Sequence, residues 1–184
     1  MNTTIKIETA TRNLEDDHVH ILRLTDVMEH LTTTTNPVIS HLESIVEIIR
    51  NFADGIHHAK EEDIFFPLLS QKGFSSTQGP VAVMLNEHLA GRNFVRGMAE
   101  NIELYKNGNK DALGRIYYNM KGYVELLRAH ISKENNILFR MADRVLSEKD
   151  HTALLAKFVN AENLHSSPSG YIKRIEDLSS YYNI

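Results

Sequence analysis

The chain has ten histidines in 184 residues and no cysteine, so its candidate ligand chemistry rests on imidazole and carboxylate. Two histidines open the same pattern. His57-His58-Ala59-Lys60-Glu61-Glu62-Asp63-Ile64-Phe65-Phe66 and His130-Ile131-Ser132-Lys133-Glu134-Asn135-Asn136-Ile137-Leu138-Phe139 both read His-x-x-Lys-Glu-x-x-Ile-x-Phe, 73 positions apart. Upstream, Asp17-His18 and Glu87-His88 form a second match, 70 positions apart. Residues four apart on a helix share one face, so His57/Glu61 and His130/Glu134 can each present an imidazole and a carboxylate to one point. Each pair falls in the apolar stripe of its helix, Glu61 between His57 and Ile64, Glu134 between Leu127 and Ile137. A buried Glu costs several kcal/mol unless it is paired or bound to a metal. That cost is offset if two divalent cations sit between the pairs. His18 and His57 would then hold one cation, His88 and His130 the other, with Glu61 and Glu134 bridging both.

A single His-x3-Glu on a helix is usually an exposed pair. The duplication, the inward phase and the matching His18 and His88 favour the dinuclear site instead. The other histidines fall off this seam. His20 lies about 200° around its helix from His18 and should face solvent. His30, His41, His58, His151 and His165 read as surface residues, His58 least clearly because it adjoins His57. Nitrogen and oxygen ligands without thiolate allow iron, manganese or zinc. Two His and two bridging carboxylates give each metal four ligands. A solvent-derived oxo or hydroxo bridge adds a fifth and leaves a position for a small molecule.

These side chains need long helices to carry them. Nine Gly and four Pro are few breakers, and apolar residues recur at three and four with no sustained strand alternation. A first helix is expected over about 12–31, with Leu14, His18, Ile21, Thr25 and Met28 on one face. Asn36-Pro37 reads as an N-cap with an N1 proline, and Ser40 with Glu43 as a competing capping box. The second helix should run to about 69 with Leu42, Val46, Ile49, Ala53, His57, Glu61, Ile64 and Leu68 inward. A third begins at Pro80 and ends before Asn107-Gly108-Asn109, and a fourth covers about 111–146. The result is an all-α, up-down-up-down four-helix bundle built from a duplicated helical hairpin, about 30 to 50 Å long. Two shorter helices follow. Ser147 and Asp150 start one, striped with Leu154, Leu155, Phe158 and Val159; Ser167-Pro168 starts another, with Tyr171, Ile175, Leu178 and Tyr182. They either cover a flank of the bundle or form a homodimer interface. We expect one domain over 1–184, with the bundle at about 12–146 and the extension at about 147–184.

Composition narrows the function classes. Hydrophobic residues make 42% and charged residues 24%, as in a folded globular chain. The lack of cysteine excludes disulfides, cysteine-held iron–sulfur clusters, thiolate zinc and a Cys nucleophile within this chain. A net charge of −4 and a pI near 6.2, without a basic run, argue against a nucleic-acid surface. No apolar stretch reaches the length of a membrane span, and the first residues, MNTTIKIETATRNLEDD, lack a leader's apolar run. A cytoplasmic protein with no membrane or nucleic-acid partner is expected.

The segment from Phe52-Ala53-Asp54 through His57-His58-Ala59-Lys60-Glu61-Glu62-Asp63-Ile64-Phe65-Phe66-Pro67 resembles the signature of hemerythrin-like proteins of the HHE cation-binding type. Met84-Leu85-Asn86-Glu87-His88 with Gly91-Arg92, and Leu127-Arg128-Ala129-His130-Ile131-Ser132-Lys133-Glu134, resemble that family's third- and fourth-helix motifs. The resemblance spans about 12–146. It implies a four-helix bundle with a non-heme di-iron centre, and roles in oxygen, nitric oxide or iron binding or in oxidative-stress defence. Members that carry oxygen have His-x3-His on the third helix, where this chain has His88-x3-Arg92. A guanidinium cannot ligate, so Arg92 either neutralises a carboxylate or closes the bundle mouth, and one iron should keep a further open position. That departure disfavours reversible oxygen carriage and favours redox turnover or sensing. Arg140 replaces the family's proline after Phe139, which should affect only the course of the helix end. Tyr123, seven before His130, is on the same face and a candidate donor to a bound oxygen species, or a core tyrosine with an ordinary partner.

Three functions follow. The leading one is a di-iron module that binds or senses oxygen, nitric oxide or iron, with a small diatomic molecule or peroxide as its ligand. The second is an enzyme reducing oxygen, peroxide or nitric oxide at the same centre. The third is a structural bundle holding zinc or no metal.

Overall fold

A computed structural model of the chain describes residues 8–164 and 167–184. Among these, six helices and no strand are present. Helix α1 is Ala10–Leu31, opened by Thr9, whose hydroxyl accepts from the Arg12 N–H. Helix α2 spans 39–71 as four continuous segments: Ile39–Ile48, the wide π-type stretch Ile49–His58, a second wide turn Glu61–Phe65, and Phe66–Gln71. Helix α3 is Gly79–Lys106. Helix α4 spans 112–143, as Ala112–Lys133, a wide turn Glu134–Leu138, and Phe139–Asp143. Helices α5, Glu148–Leu164, and α6, Pro168–Tyr182, complete the fold. The expected bundle with two shorter C-terminal helices is the fold observed.

Two caps differ from expectation. Helix α2 starts two residues after Pro37, with Val38 at the cap position, so neither Asn36 nor Ser40 caps it by a side chain. The box at α5 does form. The Ser147 N–H and hydroxyl donate to the Asp150 carboxylate at 2.9 and 2.7 Å, and the Asp150 N–H donates back to the hydroxyl at 3.2 Å.

The apolar interior is in two parts. One cluster gathers Ile21 to Leu31, Leu42 to Ile56, Val95 to Tyr105 and Ile116 to Ile131, closed by Ile175 and Leu178 of α6. The other gathers Leu14, Phe65, Phe66, Leu69, Met84, Leu138 and Phe139, closed by Leu154 and Phe158 of α5. Thus both C-terminal helices bury apolar residues on the chain's own bundle, while Val159 of the expected stripe is exposed. Between the clusters, where each of the four long helices passes from one to the other, lie His18, His57, Glu61, His88, His130 and Glu134. They form a polar layer across the middle of the bundle.

The wide turns explain where the expected stripes slip. A π turn accommodates one extra residue, so the inward phase advances by one position beyond it. Past Glu61, Phe65, Phe66 and Leu69 are buried while Ile64 and Leu68 are only half-buried; past Glu134, Leu138 is buried and Ile137 is exposed. The slip occurs at the same place in both repeats. Gly55 lies inside the first wide stretch, where a Cβ would come within 3.0 Å of the Arg50 carbonyl oxygen.

Candidate metal centre

The layer brings all six expected residues together. His18 Nε2 lies 3.0 Å from His57 Nε2 and 3.3 Å from a Glu134 oxygen. His88 Nε2 lies 3.2 Å from His130 Nε2 and 3.4 Å from a Glu61 oxygen. The same Glu134 oxygen is 3.2 Å from His130 Nε2, and the same Glu61 oxygen is 3.7 Å from His57 Nε2. Each carboxylate therefore faces imidazoles of both halves. Both are fully buried, and none of their four oxygens has a hydrogen-bond partner.

The outer nitrogens explain why the inner ones converge. His57 Nδ1–H donates to Asp17 at 3.2 Å and His130 Nδ1–H to Glu87 at 3.0 Å. His18 Nδ1–H donates to the Asn135 side-chain oxygen at 2.7 Å, and His88 Nδ1–H to Glu62 at 2.7 Å. A carboxylate can only accept, so these bonds fix the proton on Nδ1 and aim each Nε2 lone pair inward. The acceptors obey the repeat. Asp17 and Glu87 each precede a layer histidine and accept from the other histidine of the same half; Glu62 and Asn135 each follow a layer glutamate. Sequence reasoning missed these acceptors, although the Asp17-His18 and Glu87-His88 match was the available signal.

Lys60 and Lys133 also occupy equivalent positions, with unequal surroundings. Lys60 is fully buried, donating to Asp17 at 2.9 Å and Asn13 at 3.1 Å and pairing with Glu162 of α5 at 2.5 Å. Lys133 pairs with Glu87 at the surface, its side chain 37% exposed. Removing one member of a buried ion pair costs about 3–5 kcal/mol, an exposed pair about 0–1 kcal/mol. Lys60→Ala is therefore expected to destabilise the chain several-fold more than Lys133→Ala in urea unfolding. Equal losses would show that α5 does not seal this flank.

Two histidines assigned to the surface are buried. His151 accepts from the Ala10 N–H at 3.3 Å, tying α5 to the start of α1. His58 enters the layer itself: its ring stacks on His88 at 3.8 Å, and its Nδ1–H donates to Asp54 at 3.2 Å. On a regular α-helix, adjacent residues diverge by about 100°. The wide stretch Ile49–His58 reduces that step and turns both His57 and His58 inward. His30 is exposed and His20 and His41 are half-buried, while His165 lies outside the described residues.

Arg92 does not enter the layer. Its guanidinium bonds Asp54 and Glu62 at 2.7 Å each, the two carboxylates that accept from His58 and His88. The fourth donor of the group that holds His88 and His130 is His58. Tyr123 is buried near His58 and Asp54 and makes no hydrogen bond among the described residues.

The residues present fit two cations. Four donors stand within 4.8 Å of one another in each of two groups: His18, His57, Glu61 and Glu134, and His58, Glu61, His88 and His130. Metal–ligand bonds of about 2.0–2.2 Å place neighbouring donors roughly 3 Å apart, the spacing of the facing Nε2 atoms here. Two lone pairs at that distance repel unless a proton or cation lies between them.

Without metal, the layer holds its charge uneasily. Burial and the neighbouring Glu134 push the Glu61 carboxyl well above the usual range. Burial acts upward on Glu134 too, but His130 and His18 overcome it and hold Glu134 well below that range. Burial drives His57 down to about 4 and His58, with help from His88, down to about 3. Burial opposes the charge on His130, yet Glu134 and Glu87 raise it to about 9. At neutral pH His130 thus holds a proton that a cation must displace, and the upward shift of Glu61 acts in the same direction. Metal affinity is expected to rise with pH up to about 9, with proton release on loading. Titration calorimetry in buffers of different ionisation enthalpy would read that release, and a pH-independent affinity would contradict it.

Fold and site together define a helical bundle with a carboxylate–histidine metal layer. The model of the hemerythrin HHE cation-binding domain matches residues 9–142, and the chain belongs to that family. Among curated relatives it is 34% identical over 89 residues to the iron-sulfur cluster repair protein YtfE of Edwardsiella ictaluri. To the proteins of the same name from Citrobacter koseri and Escherichia coli O81 it is 30% and 32% identical over 95 residues. Each match covers 47% of this chain and 40% of the relative, so the alignment spans less than half of those proteins. No solved structure gives a significant match. Among the described residues no helix is long and apolar enough to cross a membrane.

Proposed function

We propose that the chain is a non-heme di-iron protein that binds or senses oxygen, nitric oxide or iron, with His18, His57, Glu61, His88, His130 and Glu134 as ligands and His58 as a seventh. The observation that carries this reading is the set of four buried, unpartnered carboxylate oxygens among imidazole Nε2 atoms whose Nδ1 protons are all committed elsewhere. No purely structural role accounts for leaving two such carboxylates unsatisfied. Two irons there would supply open coordination and one-electron exchange to a small molecule. The protein's part is to hold the ligands, through Asp17, Asn135, Glu62 and Glu87, and to keep bulk water out with the apolar clusters on either side.

The second reading is a redox enzyme reducing oxygen, peroxide or nitric oxide. A cavity that reaches His58 from the surface favours it, because turnover needs a path for reactant. The relatives' name adds iron–sulfur cluster repair as a physiological setting, which we extend to this chain as part of the proposal, with a cytoplasmic location. Having no cysteine, the chain would exchange iron with its histidines and glutamates rather than hold a cluster.

Metal content of protein made in iron-replete cells, read beside its visible spectrum, tests the proposal. About two irons per chain with oxo-bridge charge-transfer bands are expected. Zinc or no metal would leave only a structural bundle. Titration of the reduced protein with nitric oxide or oxygen, with and without an electron donor, then separates binding from turnover.

A further inference from the structure

Beside the layer, between α2, α3 and α4, lies a cavity of about 260 Å³. His58 lines it and none of the other six layer residues does. Its lining carries three guanidiniums, Arg50, Arg92 and Arg96, against one carboxylate, Asp54, on a chain whose net charge is −4. Arg92 is neutralised by Asp54 and Glu62, but Arg50 and Arg96 form no ion pair among the described residues. Tyr123 supplies the second observation: it lines the cavity with its ring nearly fully buried, while its hydroxyl is not sealed from solvent and makes no hydrogen bond among the described residues. A hydroxyl with its donor free at a cavity wall can give that proton to a ligand acceptor. The volume lies just below the usual range for small-molecule sites and has room for a small oxyanion with some of its water. A guanidinium fork suits planar oxygen acceptors.

We propose that this cavity is a binding site for small planar oxyanions of the nitrate class, held between the Tyr123 hydroxyl and the Arg50 and Arg96 guanidiniums, with His58 belonging to both the cavity wall and the metal donor groups. The proposal deepens the metal-centre reading by placing an oxyanion beside it, but the cavity's own donors are independent of any metal.

Gly91 offers a clean probe. It lines the cavity, and a Cβ there meets Tyr123 at 3.5 Å and Leu126 at 3.8 Å, ordinary contacts. Gly91→Ala should fold and leave most of the volume open, while Gly91→Leu should fill it. Nitrate is the probe, exchanged for chloride at constant ionic strength in a zwitterionic buffer, with metal-free and iron-loaded protein. Binding is read by nuclear magnetic resonance shifts on the metal-free form and by calorimetry on the loaded form, with metal content measured for each variant. Nitrate is expected to bind both forms of the wild type. Gly91→Leu and the double variant Arg50→Gln/Arg96→Gln should each weaken binding about tenfold. Tyr123→Phe should weaken it severalfold and Gly91→Ala less than twofold, all with metal content unchanged. Absence of binding to the metal-free wild type, or equal affinity in wild type and Gly91→Leu, would overturn the proposal. Nitrate binding by a protein that takes up no metal would sink the di-iron reading alone.

Discussion

Glu61→Leu is expected to make the metal-free protein more stable while stripping it of metal. Glu61 is common to both donor groups, so its loss removes a ligand from each position at once. In the metal-free state the same carboxylate is fully buried, has no hydrogen-bond partner and is pushed toward protonation by burial and by Glu134. Replacing buried charges with apolar side chains of similar volume is commonly neutral or stabilising by about 1–4 kcal/mol. The urea midpoint of the metal-free variant should therefore rise above wild type, and metal content should fall from about two per chain to below one. A variant that loses stability and keeps its metal would mean that Glu61 is a structural residue. His58→Ala is the matched comparison, since His58 belongs to one donor group only and should leave the other position able to load.

Metal removal should produce the second large effect. A ligand that binds only the folded chain stabilises it by about 4 kcal/mol when its free concentration is 1,000 times its dissociation constant. For a chain of this size, each kcal/mol moves the melting temperature by about 2–4 °C, so chelation should lower it by roughly 10 °C. The layer is the source of that difference, because removing the cations leaves the facing His18 and His57 nitrogens and unpartnered carboxylates in the middle of the bundle. Glu61→Leu should show no such dependence. If iron(II), manganese(II) and zinc(II) all leave the wild-type melting temperature unchanged, the layer does not hold metal.

Comparing particular elements shows how far the residues could be read without the fold. Apolar recurrence at three and four and the few breakers placed the long helices, and the family that the His-x-x-Lys-Glu-x-x-Ile-x-Phe repeat resembles is the family shown. Side-chain phase was readable only as far as the helices stay regular. Ile64 and Leu68 pack against the second cluster only half-buried and Ile137 is exposed, because the wide turns at Glu61–Phe65 and Glu134–Leu138 shift the inward face by one residue, and nothing in a 3.6-residue period announces such a turn. His58 was missed for the same reason at Ile49–His58.

Residue order alone settles what is local and periodic: helix count, duplication, and which His/Glu pairs share a helical face. These follow from spacing along one chain segment, which the backbone repeat converts directly into direction. What only the tertiary structure decided depends on distance between segments far apart in the chain. Asn135 meets His18 and Glu62 meets His88 across helices, Lys60 is sealed by Glu162 of α5, and Arg92 turns outward to Asp54 and Glu62. A hydrogen bond acts over about 3 Å, so a partner 117 residues away enters only when packing has set the helices side by side.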